Sequence, residues 1–131
     1  MRAFITLLLI TIVLSCNSFS FSGNGSGTED DPYQITNVHQ LQEMNDDLSA
    51  HYILMNDIDA SETREWNVGD HDNDLETPDS AMGFEPVGEF IGSLNGKDFA
   101  ISDLYINRLK ENGVGLFGTI NDNGYVQAVH I

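Results

Sequence analysis

The sequence predicts a mainly β fold, and three observations predict it. Eight of the twelve glycines fall in the last 49 residues, where four apolar stretches appear at 90–94, 99–106, 114–120 and 125–131. Asn-Gly pairs punctuate them at Asn95-Gly96, Asn112-Gly113 and Asn123-Gly124. Asn and Gly accept positive φ, so these pairs mark turns or corners. Finally, Ile101-Ser102-Asp103-Leu104-Tyr105-Ile106 matches Val126-Gln127-Ala128-Val129-His130-Ile131 at an offset of 25, with apolar residues in the first, fourth and sixth places of both. A period in the twenties is the signature of a solenoid, whose units bury their apolar faces only by stacking. Asn-Gly between strands, taken alone, favours antiparallel hairpins. The pattern by itself therefore leaves a solenoid and a meander equally open.

The elements follow in chain order. Met1-Arg2 and an apolar run from Ala3 to Leu14 precede Ser15-Cys16. A positive start, a short apolar run and small residues after it form a secretory signal, assigned here to residues 1–15. The run is shorter than the roughly 20 apolar residues a spanning helix needs. Cys16, the only cysteine, directly follows Val13-Leu14-Ser15. This resembles a bacterial lipobox, although Leu14 is unusual one place before the small residue, and it makes Cys16 the candidate lipidation site and first mature residue. Cleavage at Ser18-Phe19-Ser20 or Ser20-Phe21-Ser22 is the competing route. Residues 16–31, rich in Gly, Ser and acid, read as a flexible tether.

The module proper is assigned to 32–131. Pro32-Tyr33-Gln34-Ile35 is a short β-like piece. Val38, Leu41, Met44 and Leu48 then recur at helical spacing, predicting an amphipathic helix over 37–47. Thr36 or Asn37 can cap it, and Asn37 with Gln40 is a weak capping-box match. His51 to Met55 reads as a buried strand, continued by Asn56-Asp57-Ile58-Asp59. Asp57 and Asp59 are expected to bond backbone amides at a corner. The pattern then disappears, and 61–81 reads as a long acidic surface loop, functional or mobile.

Gly115-Leu116-Phe117-Gly118, within Asn112-Gly113-Val114-Gly115-Leu116-Phe117-Gly118-Thr119-Ile120, resembles the GLUG motif of bacterial surface proteins. The order of Gly25 to Ile35, the Leu41 helix, His51 to Asp59, Phe84-Glu85-Pro86-Val87-Gly88, Phe90 to Gly96 and Phe99 to Leu104 is similar to the start of such domains. The resemblance covers about 25–131 and departs at 61–81, which is longer and more acidic. Such domains are similar to filamentous-haemagglutinin-type and adhesin β-helices. The resemblance therefore implies a right-handed parallel β-helix, a solenoid closed at its start by the short N-terminal α-helix. Ile131 stands on an apolar strand with no polar cap, so a truncated chain is the expectation there.

Charge narrows the partners. Five Lys and Arg stand against 21 Asp and Glu, a net charge of -16. No basic face exists to replace counterions on nucleic-acid phosphates, nor to hold an anionic bilayer, so a membrane is reached only through a lipid anchor. Eleven acids lie in the 34 residues 56–89, against Arg64 alone. Asp70, Asp72, Asp74 and Glu76 place carboxylates at alternate positions, the hard-oxygen spacing of a calcium loop. It is not an EF-hand, since Leu75 stands where the turn glycine belongs. A solvated acidic loop is the plainer reading, with calcium the candidate cofactor. His39, His51, His71 and His130 are scattered. Some polysaccharide lyases use β-helices with Asp-bound calcium and a basic residue, and Arg64 or Lys97 would be the base; nothing in the spacing sets either beside the acids, and a fold is not a function. Trp66, Tyr105 and Tyr125 could stack on sugars.

The sequence therefore points to a non-catalytic, secreted or cell-surface module, of outer-membrane lipoprotein type if Cys16 is acylated. It would act in adhesion or as a scaffold toward an extracellular carbohydrate or protein. A carbohydrate-active enzyme and a non-functional fragment of a larger adhesin are the alternatives.

Overall fold

The computed structural model describes residues 19–69 and 80–131. Eight short strands are present there: β1 (Tyr33–Ile35), β2 (His51–Leu54), β3 (Ile58–Asp59), β4 (Val87–Phe90), β5 (Ser93–Asn95), β6 (Ile101–Ser102), β7 (Phe117–Ile120) and β8 (Tyr125–Gln127). They form a four-stranded sheet in the order β1-β2-β5-β8 and two pairs, β3-β6 and β4-β7. Every one of these strand pairs is parallel.

The expected right-handed β-helix is corrected on this point. The described strands make three separate small parallel sheets with one short helix, a mixed architecture without a closed solenoid. The spacing between paired strands shows why no single repeat emerges. Tyr33 lies opposite Tyr52, His51 opposite Ser93, and Ser93 opposite Tyr125. These are offsets of 19, 42 and 32 residues. The similarity at an offset of 25 is likewise not a register. Val126 sits beside Leu94, and Ala100 bridges His130. The shared spacing reports core-facing positions in two strands that are not aligned neighbours: Ile101 is buried, and Leu104, Ile106, Val126 and Val129 pack against the core. Antiparallel hairpins are overturned too, because the one antiparallel pairing described is the isolated Gly83–Ile106 bridge.

The helix α1 spans Val38–Gln42 and continues as a three-ten turn over Glu43–Asp46. Asn37 caps it, its side chain accepting the Gln40 N–H at 2.9 Å. Gln40 reaches back one residue further than a capping box would, its Oε1 accepting from the Thr36 N–H and hydroxyl. The stripe does what its spacing requires: Val38, Leu41 and Met44 are buried beside Ile35, Leu54, Phe84, Val87, Phe90 and Leu94, with Leu48 at the margin. Each such side chain contributes roughly 1.5–3 kcal/mol by leaving water.

Composition marks 16–31 as a tether, yet from Phe19 onward the chain is fastened down. Phe21 is buried with its ring 4.6 Å from Tyr33. The Gln34 N–H donates to the Asn24 carbonyl and the His51 N–H to the Gly27 carbonyl. Gly25 serves close approach: a Cβ on it, at φ +97°, would strike the Pro32 carbonyl.

Candidate functional site

An open cleft of about 640 Å³ lies between the helical turn 39–46 and the segments around Trp66 and Glu85. Its walls follow from local sequence. The buried stripe of α1 turns His39, Gln42, Glu43 and Asp46 toward the outer side. Ser61–Glu65 forms a second three-ten turn. Thr63 pins that turn, its hydroxyl donating to the Ala60 carbonyl at 2.6 Å and accepting the Tyr105 N–H at 2.9 Å. Glu65, Trp66 and Asn67 are thereby presented opposite the helix.

Amide side chains set the width of the cleft. Gln42 clamps Glu85, donating from Nε2 to its carbonyl and accepting its N–H, both at 2.9 Å. One turn on, Asn45 donates to the Glu85 and Pro86 carbonyls and accepts the Gly88 N–H. The helix is thus bolted to the strand entering β4. Trp66 is half-buried, its ring 5.0 Å from His39 and stacked over Phe84 at 6.5 Å. The His39 Nε2 lies 3.1 Å from Glu62. The indole therefore already has two ring neighbours. Trp66 is not the freely exposed stacking platform that its loop position suggested.

The lining carries carboxylates from Glu43, Asp46, Glu65 and Glu85, with His39 the one basic side chain among the described lining residues. Glu43 also accepts the Ser22 N–H at 2.9 Å. The acids do not converge on one point: no group of three or more His, Cys, Asp or Glu among the described residues could hold a metal ion. The cleft is thus an anionic groove with one indole, Trp66, in its wall.

The sites read from sequence are distributed differently. Cys16, Asp70, Asp72, Asp74 and Glu76, and with them the lipidation and calcium assignments, lie outside the described residues. Ends of the acidic excursion are pinned together, since the Met82 and Gly83 N–H groups donate to the Asn67 and Trp66 carbonyls. Arg64 stacks over the Tyr105 ring at 5.3 Å. Lys97 lies in a left-handed turn after β5, where its N–H donates to Asn95. Asp57 accepts the Ala100 N–H and Asp59 the Ser61 N–H, the structural use expected of both. The Ser61 hydroxyl and N–H hold the exposed Asp59 carboxyl below its usual range. His51 pairs with Ser93 at 2.7 Å, and His130 lies 3.9 Å from Asp98. Tyr125 is exposed on β8, as an outward strand residue.

Sequence reasoning identified the polar face of the helix and singled out Trp66, but not their juxtaposition, nor Glu65, Asn67 and Glu85. The only available signal was the density of acids across 56–89. Among the described residues no helix is long and apolar enough to cross a membrane.

No protein-family model and no solved structure matches the chain. It is similar to Halomucin of Haloquadratum walsbyi, 45% identical over 102 residues, which is 74% of this chain and 1% of that protein. It is also similar to a protein described as a Gly-rich membrane protein of Evansella cellulosilytica, 30% identical over 138 aligned positions, 97% of this chain and 14% of the relative. The chain therefore spans a small part of either relative. Neither likeness bears on the GLUG-motif resemblance.

Proposed function

We propose that this chain is a surface- or membrane-associated, non-catalytic module that serves adhesion or scaffolding, carried by a lipid on Cys16 and meeting its partner at the Trp66 cleft. The observation that carries this reading is proportion. Nearly the whole chain corresponds to 14% of a much longer protein with "membrane" in its name, and most of it to 1% of Halomucin. A stretch that recurs as a small part of such long chains behaves as a unit of construction. Its geometry suits that use: parallel ladders and a continuous buried core give a rigid body, and a rigid body presents a cleft at little cost in ordering entropy. The net charge of -16 supports exposure to solvent over burial in an assembly.

The test is made on intact bacterial cells producing the full chain. Added protease is expected to remove it before lysis, and Cys16→Ser to release it from the membrane fraction. Resistance to protease until the cells are broken would refute surface display, and membrane retention of the Cys16→Ser protein would refute the anchor. Cells bearing the wild-type chain are expected to adhere to immobilised polysaccharide or extracellular-protein panels, with Trp66→Ala reducing adhesion at least about fivefold. Equal adhesion by the variant would remove the cleft from the reading.

A further inference from the structure

The packing of residues 19–27 bears on where the leader is cut. Three processing points are chemically open, before Cys16, after Ser20 and after Ser22, and the residues that distinguish them are Phe19 and Phe21. Phe21 is 7% exposed and belongs to the core. Its ring contacts Tyr33 at 4.6 Å and Tyr52 at 6.1 Å, and Phe19 meets the same Tyr33 edge-on at 6.2 Å. The rings of Tyr33 and Tyr52 lie 5.5 Å apart on paired strands, so the phenylalanines extend an aromatic stack over the outer strand of the four-stranded sheet. The backbone beyond them is equally committed. Ser22 donates to Glu43 at 2.9 Å, and Asn24 accepts from Gln34 at 2.9 Å. A Cβ on Gly23 would lie 2.6 Å from the Phe21 ring and 2.8 Å from the Gln34 carbonyl. Cutting after Ser22 would remove a core side chain and bare the aromatic face of Tyr33 and Tyr52.

We infer that the mature protein retains Phe19 and Phe21, so that its leader ends upstream of Phe19 and no tether separates the processing site from the fold. Where the anchor proposed above holds, Phe19 stands three residues after the acylated Cys16. At about 3.6 Å per residue the anchor reaches at most ~11 Å. The aromatic end of the domain is then held at the bilayer surface. This second clause rests on the anchoring reading; the first does not.

The experiment is intact mass measurement of the full chain, produced with its own leader in a bacterium that processes lipoproteins. A chain beginning at Cys16 and carrying the added mass of two or three acyl chains supports both clauses. An unmodified N-terminus at any residue from 16 to 19 supports retention of the aromatic pair and overturns the anchor. An N-terminus at Ser20 or later overturns the inference. Packing is tested separately in the same purified protein. The Gln34 and His51 amides are expected to exchange slowly with solvent, and Phe21→Ala to lower the folding equilibrium constant about a hundredfold. Free exchange at Gln34, together with an unchanged Tm in Phe21→Ala, would show that the segment is a tether after all. Phe21→Leu, which keeps the core apolar, is expected to recover most of the loss.

Discussion

Tyr52 illustrates how one side chain joins core to charge. Its ring is buried between Tyr33 and Phe90, and its hydroxyl donates to the Asp47 carbonyl at 2.8 Å. Burial, with Asp47 nearby, pushes the phenol well above its usual range. The folded state therefore keeps this proton at a pH where the unfolded chain, with its phenol near about 10, has lost it. Stability from Tyr52 is complete below that pH and declines as pH rises beyond it. Tm is expected to fall above about pH 10, with a shallower fall in Tyr52→Phe. At neutral pH the same variant is expected to cost about 1 kcal/mol, the lost hydrogen bond, in urea unfolding. Glycine positions give a steric counterpart. A Cβ on Gly92 would strike the Ala50 carbonyl of the neighbouring segment, whereas on Gly115 it would meet only the Phe117 carbonyl at 3.4 Å. Gly92→Ala is expected to destabilise by at least about 2 kcal/mol and Gly115→Ala by under about 0.5 kcal/mol. Equal midpoints for the two would show that the backbone yields freely at 92.

Between elements, the amide ladder from α1 to the start of β4 decides the shape of the cleft. Helix propensity does not hold a five-residue helix in place; burial of Val38 and Leu41 and the clamps from Gln42 and Asn45 do. Gln42→Ala and Asn45→Ala each leave backbone groups at 85–88 without a partner, and each is expected to cost about 1–2 kcal/mol. Trp66 fluorescence is expected to shift to longer wavelength in both as the cleft loosens, and an unchanged spectrum would mean that Trp66 is positioned by Phe84 alone. The helix itself was legible, because its stripe, cap residue and polar face are all local. The cleft was not. Gln42 meets Glu85 across 43 residues of chain, and no periodicity encodes that distance. The turns show the same limit. Asn112-Gly113 does carry a positive φ, at Gly113, but near Asn95-Gly96 the left-handed residues are Lys97 and Asp98. Gly96 is needed instead because a Cβ there would strike the Ala128 carbonyl. A residue pair chosen for close approach looks, in sequence, the same as one chosen for a hairpin.

At the scale of the molecule, 21 acids against five basic residues repel one another within a body that its apolar core holds together. Such repulsion is screened within about 10 Å at 0.1 M salt, so Tm is expected to rise between low salt and 0.5 M sodium chloride. A flat response would mean that the charges are too widely spread to matter. The sequence alone determined the acidity of the chain, its β content and its apolar stripe, since each is written in adjacent residues or in composition. Tertiary structure alone decided that the strands pair in parallel as three small sheets with unequal connections, that Phe21 belongs to the core, and that Trp66 packs against His39 and Phe84. Pairing partners are selected by where the connecting segments can close and by which carbonyl each N–H can reach. Those are long-range choices, and a one-dimensional pattern of apolar residues admits several of them at similar cost.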